Sequence, residues 1–134
     1  MSSTDSAHGV NVLEAARFAS DGRVNEKLIA IESMVVRMNC YEPGQVTPMH
    51  MHPDEDEIVY VVEGRGTVTF QDADDCPVAA GDLVRLPANQ FHQIEANAGE
   101  RMVLIYFMKP DYTSVRPDTP ATQAAEVSLP GERV

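Results

Sequence analysis

The stretch GQVTPMHMHPDEDEIVYVVEG, residues 44–64, decides the fold. Its two histidines, His50 and His52, stand one residue apart, and Glu57 opens an apolar run that ends at Gly64. Side chains two apart on an extended chain point to the same side, so both imidazoles can reach one point in space. Glu57 follows a short turn, residues 53–56, that can fold the next strand back beside the first. His92 lies on a later strand and would have to converge on the same centre in the fold. An imidazole is equally at home in a core or on a surface, so the H-x-H spacing alone leaves ordinary structural histidines open. Met49 and Met51 alternate with the histidines and point away from them on a strand, which makes them packing residues. Asp54, Glu55 and Asp56 read as a solvated turn, and His8 as incidental.

Outward from this stretch the chain alternates with a period of two and is punctuated by Gly, Pro, Asn and Asp, the pattern of strands and tight turns. Strands are predicted over 27–31, 33–42, 57–63, 67–71, 83–86, 91–95 and 102–108, with one weak helical segment over 12–19. The run Glu63-Gly64-Arg65-Gly66 reads as a hairpin turn and residues 72–75 as a polar loop joining the next pair. Many short antiparallel strands make this an all-β domain, a sandwich or closed barrel, spanning 13–109. Residues 1–12 read as a loose segment, and 110–134, broken by Pro110, Pro117, Pro120 and Pro130, as an extended tail able to lie across a neighbour.

Alternation also assigns faces. Met34, Val36, Met38 and Cys40 form the apolar set of their strand, with Arg37, Asn39 and Tyr41 on the other parity. The predicted inner wall adds Val59, Val61, Val68, Phe70, Val84, Leu86, Ile94, Met102, Leu104, Tyr106 and Met108. Met38, Cys40, Val59, Phe70 and Tyr106 are the pocket-lining candidates. Ile58, Tyr60 and Val62 make the 57–63 strand apolar on its second face as well, which calls for cover from a second sheet or a partner, and a homodimer is expected.

Bulk properties fit one soluble domain. The chain has 134 residues, 43% of them hydrophobic, and no apolar run nears the ~20 residues of a membrane helix. Its net charge of −11, from 21 acidic and ten basic residues, opposes binding to nucleic acid or anionic membranes. The start shows no basic segment followed by an apolar one, so a cytoplasmic location is expected, with Cys40 and Cys76 as free thiols.

Gly44, His50, His52, Glu57 and Gly64, separated by five, one, four and six residues, resemble the first conserved motif of the cupin superfamily at all five positions. Gly81, Pro87 and His92 resemble the second motif. Asn89 replaces a glycine there, a mild change because Asn tolerates left-handed backbone, and Ala96 replaces a final asparagine. Sixteen residues separate Gly64 from Gly81, as in small single-domain cupins, and the resemblance covers 31–108. It implies a double-stranded β-helix (jelly-roll) barrel holding one divalent metal ion on His50, His52, Glu57 and His92. Three imidazoles and a carboxylate suit Fe(II) first, with Mn, Ni, Zn, Co or Cu also accommodated.

Four protein ligands in an octahedral arrangement leave two neighbouring positions for dioxygen or a chelating ligand. The superfamily's thiol dioxygenases use three histidines alone, whereas its acireductone, diketone and flavonol dioxygenases add a glutamate. With Arg37 and Arg85 on the outward parity, the wall fits a neutral or aromatic oxygen chelator better than a phosphosugar or oxalate. The leading expectation is a mononuclear non-haem dioxygenase. The alternatives are a non-redox lyase or isomerase and a non-enzymatic ligand-binding or sensing protein, each with a small molecule as partner.

Overall fold

In the computed structural model, residues 8–118 are described. Among them the chain forms a short helix, α1 (Val12–Ala15), and nine strands: β1 (Val24–Ile31), β2 (Met34–Tyr41), β3 (Val46–His50), β4 (Glu57–Glu63), β5 (Arg65–Phe70), β6 (Cys76–Ala79), β7 (Leu83–Leu86), β8 (His92–Ala96) and β9 (Met102–Met108). They build two antiparallel sheets, ordered β1-β2-β9-β4-β7 and β3-β8-β5-β6, the two-sheet jelly-roll architecture of a double-stranded β-helix. No helix among the described residues is long and apolar enough to cross a membrane.

Two strands lay outside the predicted set, and each contains a proline. β3 carries Pro48 and β6 carries Pro77, yet both are edge strands, where a missing backbone N–H leaves no ladder bond unmade. The turn at Gly64 is also not a hairpin: β4 and β5 belong to different sheets, so the chain turns a corner between them. Gly64 sits at φ 84°, and a Cβ there would run into the Arg101 carbonyl. The loop over 72–75 does join a paired set, β5 and β6.

The inner wall follows the predicted parity on β4, β5, β8 and β9. Val59, Val61, Val68, Ile94, Met102, Leu104, Tyr106 and Met108 share one buried cluster, with Phe70 and Val84 packed against it. On β2 the parity is reversed. Val35 and Tyr41 join that cluster, while Met38 and Cys40 pack into a second one with Ala15, Val24 and Val103.

The cause is long-range. Val10, Val12, Ala16, Phe18 and Ala19 contribute to the second cluster, so the N-terminal segment covers a face of the five-stranded sheet that local alternation assigned to the core. Docking of Val10 and Val12 also replaces the loose segment expected there. α1 is capped by Asn11, whose side chain accepts from the Glu14 N–H at 2.9 Å, and it stops at Ala16, which is extended, short of the predicted helix.

The second face of β4 is only partly covered by the described chain: Val62 packs in the second cluster, but Ile58 and Tyr60 are exposed. Residues 110–118 fold back onto the body instead of trailing away, and Met51 and Val115 exchange backbone bonds of 2.9 Å. The tail expected beyond 118 lies outside the described residues, as do residues 1–7.

Burial pushes the Cys40 thiol up to about 11, so it is protonated as well as enclosed at neutral pH. Native protein treated with iodoacetamide at pH 8 should therefore remain unmodified at Cys40 and become modified there only in denaturant. Peptide mass spectrometry reads this directly, and native labelling of Cys40 would contradict its enclosure in the second cluster.

Candidate metal centre

His50 closes β3 and lies directly opposite His92, which opens β8. Glu57 opens β4 from the other sheet, and His52 follows β3 by two residues. The turn between His52 and Glu57 is tied to the loop after β7. Asp54 and Asn89, both left-handed at φ 59° and 66°, bond each other through Asp54 N–H to Asn89 Oδ1 at 3.1 Å and Asn89 Nδ2 to Asp54 Oδ1 at 3.3 Å. Asp56 accepts from the Ala88 N–H at 2.9 Å, and Glu55 from the Thr113 N–H at 3.1 Å. The acidic run is thus a clasp and not merely a solvated turn. Asn89 takes the left-handed backbone that a glycine would adopt at its motif position.

The three histidines are fixed in one tautomer. His50 Nδ1 lies 2.7 Å from the Pro48 carbonyl, His52 Nδ1 2.8 Å from that of Thr113, and His92 Nδ1 3.3 Å from that of Gln90. A carbonyl only accepts, so each Nδ1 donates, and each neutral ring keeps its lone pair on Nε2. Burial first, and neighbouring imidazoles after it, hold His50 well below the usual histidine range. Burial likewise lowers His92, opposed in part by Glu57. All four side chains are buried, and one donor atom from each lies within 4.8 Å of the others.

Glu57 Oε1 approaches His52 Nε2 at 3.2 Å and His92 Nε2 at 3.6 Å, yet Glu57 Oε1 and His92 Nε2 are buried with no hydrogen-bond partner. A buried carboxylate oxygen facing imidazole lone pairs is costly unless a cation lies between them. One divalent ion satisfies all four atoms, and the borderline nitrogen and oxygen donors suit it.

The cavity beside these atoms is about 10 Å³, close to the room of one water. His50, His52 and Glu57 form part of its wall, and Arg23, Asn39, Thr47, Ile94, Tyr106 and Tyr112 form the rest. Of the five sequence candidates, Tyr106 alone is in this wall. Val59 and Phe70 lie in the surrounding apolar cluster, and Met38 and Cys40 face away in the second one. Arg85 is exposed as its parity requires, but Arg37 is buried on the inward parity and Arg23 reaches the cavity, so the expected charge-poor wall is corrected.

The polar inner face closes on itself. Asn25 Nδ2 donates to Asn39 Oδ1 and to the Tyr106 oxygen, each at 2.7 Å, and Asn25 Oδ1 accepts from Arg37 Nε at 2.7 Å. Asn39 Nδ2 donates to the Tyr41 oxygen at 3.2 Å, and the Tyr41 and Thr47 hydroxyls share a bond of 2.6 Å. Tyr112 meets the Tyr106 hydroxyl at 3.0 Å and stands edge-on to His52, roofing the site. The polar parity of Arg37, Asn39 and Tyr41 was the available sequence signal for this network. Arg23 and Tyr112 had none, since both come from segments flanking the predicted strands.

The chain belongs to the cupin domain family, which matches residues 37–108. It is 29% identical over 102 residues to a gentisate 1,2-dioxygenase of Ralstonia, covering 70% of this chain and 28% of that one, so it spans about a quarter of that relative's length. A double-stranded β-helix protein of Klebsiella pneumoniae superposes with a TM-score of 0.70 at 21% identity, over 78% of this chain and 91% of that one. A proposed sugar phosphate isomerase of Acidithiobacillus ferrooxidans gives 0.60 at 34% identity, over 72% and 65%.

His52→Ala or His92→Ala should remove stoichiometric metal, measured by elemental analysis after loading and gel filtration. Full metal content in either folded variant would contradict the shared site.

Proposed function

We propose that this protein is a metal-dependent enzyme acting on a small substrate that chelates through neighbouring oxygens, with dioxygen-dependent cleavage as its reaction. The observation that supports this most is the buried point shared by three imidazole nitrogens and one carboxylate, set in the wall of a cavity that also holds hydroxyl and amide groups. A divalent ion bound there, Fe(II) first, would supply Lewis acidity and electron transfer between ligand and dioxygen.

The chain's own residues supply orientation and a hydrogen-bond donor. Pro48, Thr113 and Gln90 carbonyls keep the imidazoles aimed at one point. Because Asn25 donates to the Tyr106 oxygen, the Tyr106 hydrogen is left for Tyr112 or for a ligand oxygen, and burial holds this hydroxyl well above the ordinary tyrosine range. Tyr112, edge-on to His52, forms part of the cavity wall and would limit the entry of bulk water when a ligand is bound.

Similarity to gentisate 1,2-dioxygenase supports the oxidative reading. A second reading, a metal-dependent isomerase that consumes no dioxygen, is supported by the 34% identity to the proposed sugar phosphate isomerase and by the buried Arg23. Protein loaded with Fe(II), Mn(II) or Ni(II) should consume dioxygen when given gentisate, catechol or 2,4-pentanedione, followed with an oxygen electrode. No uptake by fully loaded protein, together with anaerobic conversion of a sugar phosphate, would replace the first reading with the second.

A further inference from the structure

We propose that Glu55 is a positioning residue of the metal centre: it latches the segment after β9 in place, so that the Thr113 carbonyl keeps His52 aimed at the ion. This rests on the metal-dependent reading above and adds to it a residue that touches neither the metal nor its ligand.

The three imidazoles are not held alike. His50 and His92 are fixed by carbonyls two residues before them, those of Pro48 and Gln90, so each ring is oriented by its own strand. His52 lies past the end of β3, and the carbonyl that accepts from its Nδ1 at 2.8 Å belongs to Thr113, 61 residues away. The Ser114 hydroxyl stands 3.3 Å from the same nitrogen and is buried with it. The aim of His52 therefore depends on where residues 113 and 114 sit, which no local strand geometry decides.

Two contacts with the chain around His52 fix that place. Beyond Ser114, Met51 and Val115 exchange backbone bonds of 2.9 Å. Before it, where the segment leaves a left-handed turn at Asp111, the Thr113 N–H donates to Glu55 Oε1 at 3.1 Å. Glu55 stands three residues beyond His52 and so reaches back to it through the backbone of Thr113. Its side chain is 12% exposed, which shields the bond from competing water. The Lys109 ammonium lies 3.9 Å from the other carboxylate oxygen and is 74% exposed, so this ion pair contributes little.

An acceptor fixed on Nδ1 orients the imidazole and makes Nε2 a better metal ligand. Without the latch, Thr113 can withdraw, and one of the four ligands loses its orientation while the other three keep theirs. The consequence is selective: metal leaves faster from an intact barrel.

Zn(II)-loaded full-length protein is challenged with a chromophoric chelator, and exchange of the imidazole Nδ1 protons with solvent is followed by NMR. Glu55→Met, which keeps the volume and removes the acceptor, should release Zn(II) about tenfold faster, the scale of a lost partner behind a metal-binding histidine. Its His52 Nδ1 proton should exchange faster, with those of His50 and His92 as in wild type. Glu55→Gln, whose side-chain carbonyl still accepts, should behave as wild type in both measurements, and so should Lys109→Met. Should Glu55→Met not fold, Glu55→Asp, whose oxygens fall one methylene short of the Thr113 N–H, should show the same selective change.

Unchanged release from the folded acceptor-deficient variant, or equal changes at all three histidines, would overturn the proposal while the metal site stands. A Glu55→Gln or Lys109→Met protein as impaired as Glu55→Met would assign the effect to charge and overturn it too. Failure of wild type to take up Zn(II) would overturn the metal-dependent reading itself.

Discussion

Four donor atoms turned toward one buried point are the constraint on which the site depends. Three imidazole Nε2 lone pairs and the Glu57 oxygen face each other inside a buried space, and two of these atoms have no hydrogen-bond partner. They are kept there by what happens on the far side of each ring, where Nδ1 donates to a backbone carbonyl. The carbonyls come from β3, from the loop before β8 and from the segment after β9. The tautomers therefore hold only while the two sheets and the returning chain are in place.

The barrel around this point is half apolar and half polar, and the polar half is organised through Asn25. This fully buried amide donates to Asn39 and Tyr106 and accepts from Arg37, so three strands are cross-linked by one side chain. In a low-dielectric interior such a network is favourable only when its members are satisfied. Here it also fixes Tyr106 in the wall of the cavity, which Arg23 lines as well.

Much of this was legible in the sequence because it is local. The H-x-H spacing, the carboxylate at the head of the next strand and the framing glycines are short-range requirements of strand and turn geometry. Asn89 could be read as a left-handed residue for the same reason. What escaped depends on distant segments. The face of β2 is decided by residues 10–19 lying over it, so alternation within β2 chose the wrong side for Met38 and Cys40. β3 and β6, absent from the predicted strands, carry prolines whose tolerance follows from edge positions that only the sheet order reveals. Arg23 and Tyr112 reach the site from outside the predicted barrel strands, and with them came the charge and the roof that local pattern could not supply.

The central claim is that one divalent ion is held by three imidazoles and a carboxylate. X-ray absorption at the edge of the bound metal in the full-length protein tests it most directly. The metal should show nitrogen and oxygen neighbours only, with the outer-shell scattering of three imidazole rings. A sulfur neighbour, from a cysteine or methionine, or scattering from fewer than two rings, would contradict it.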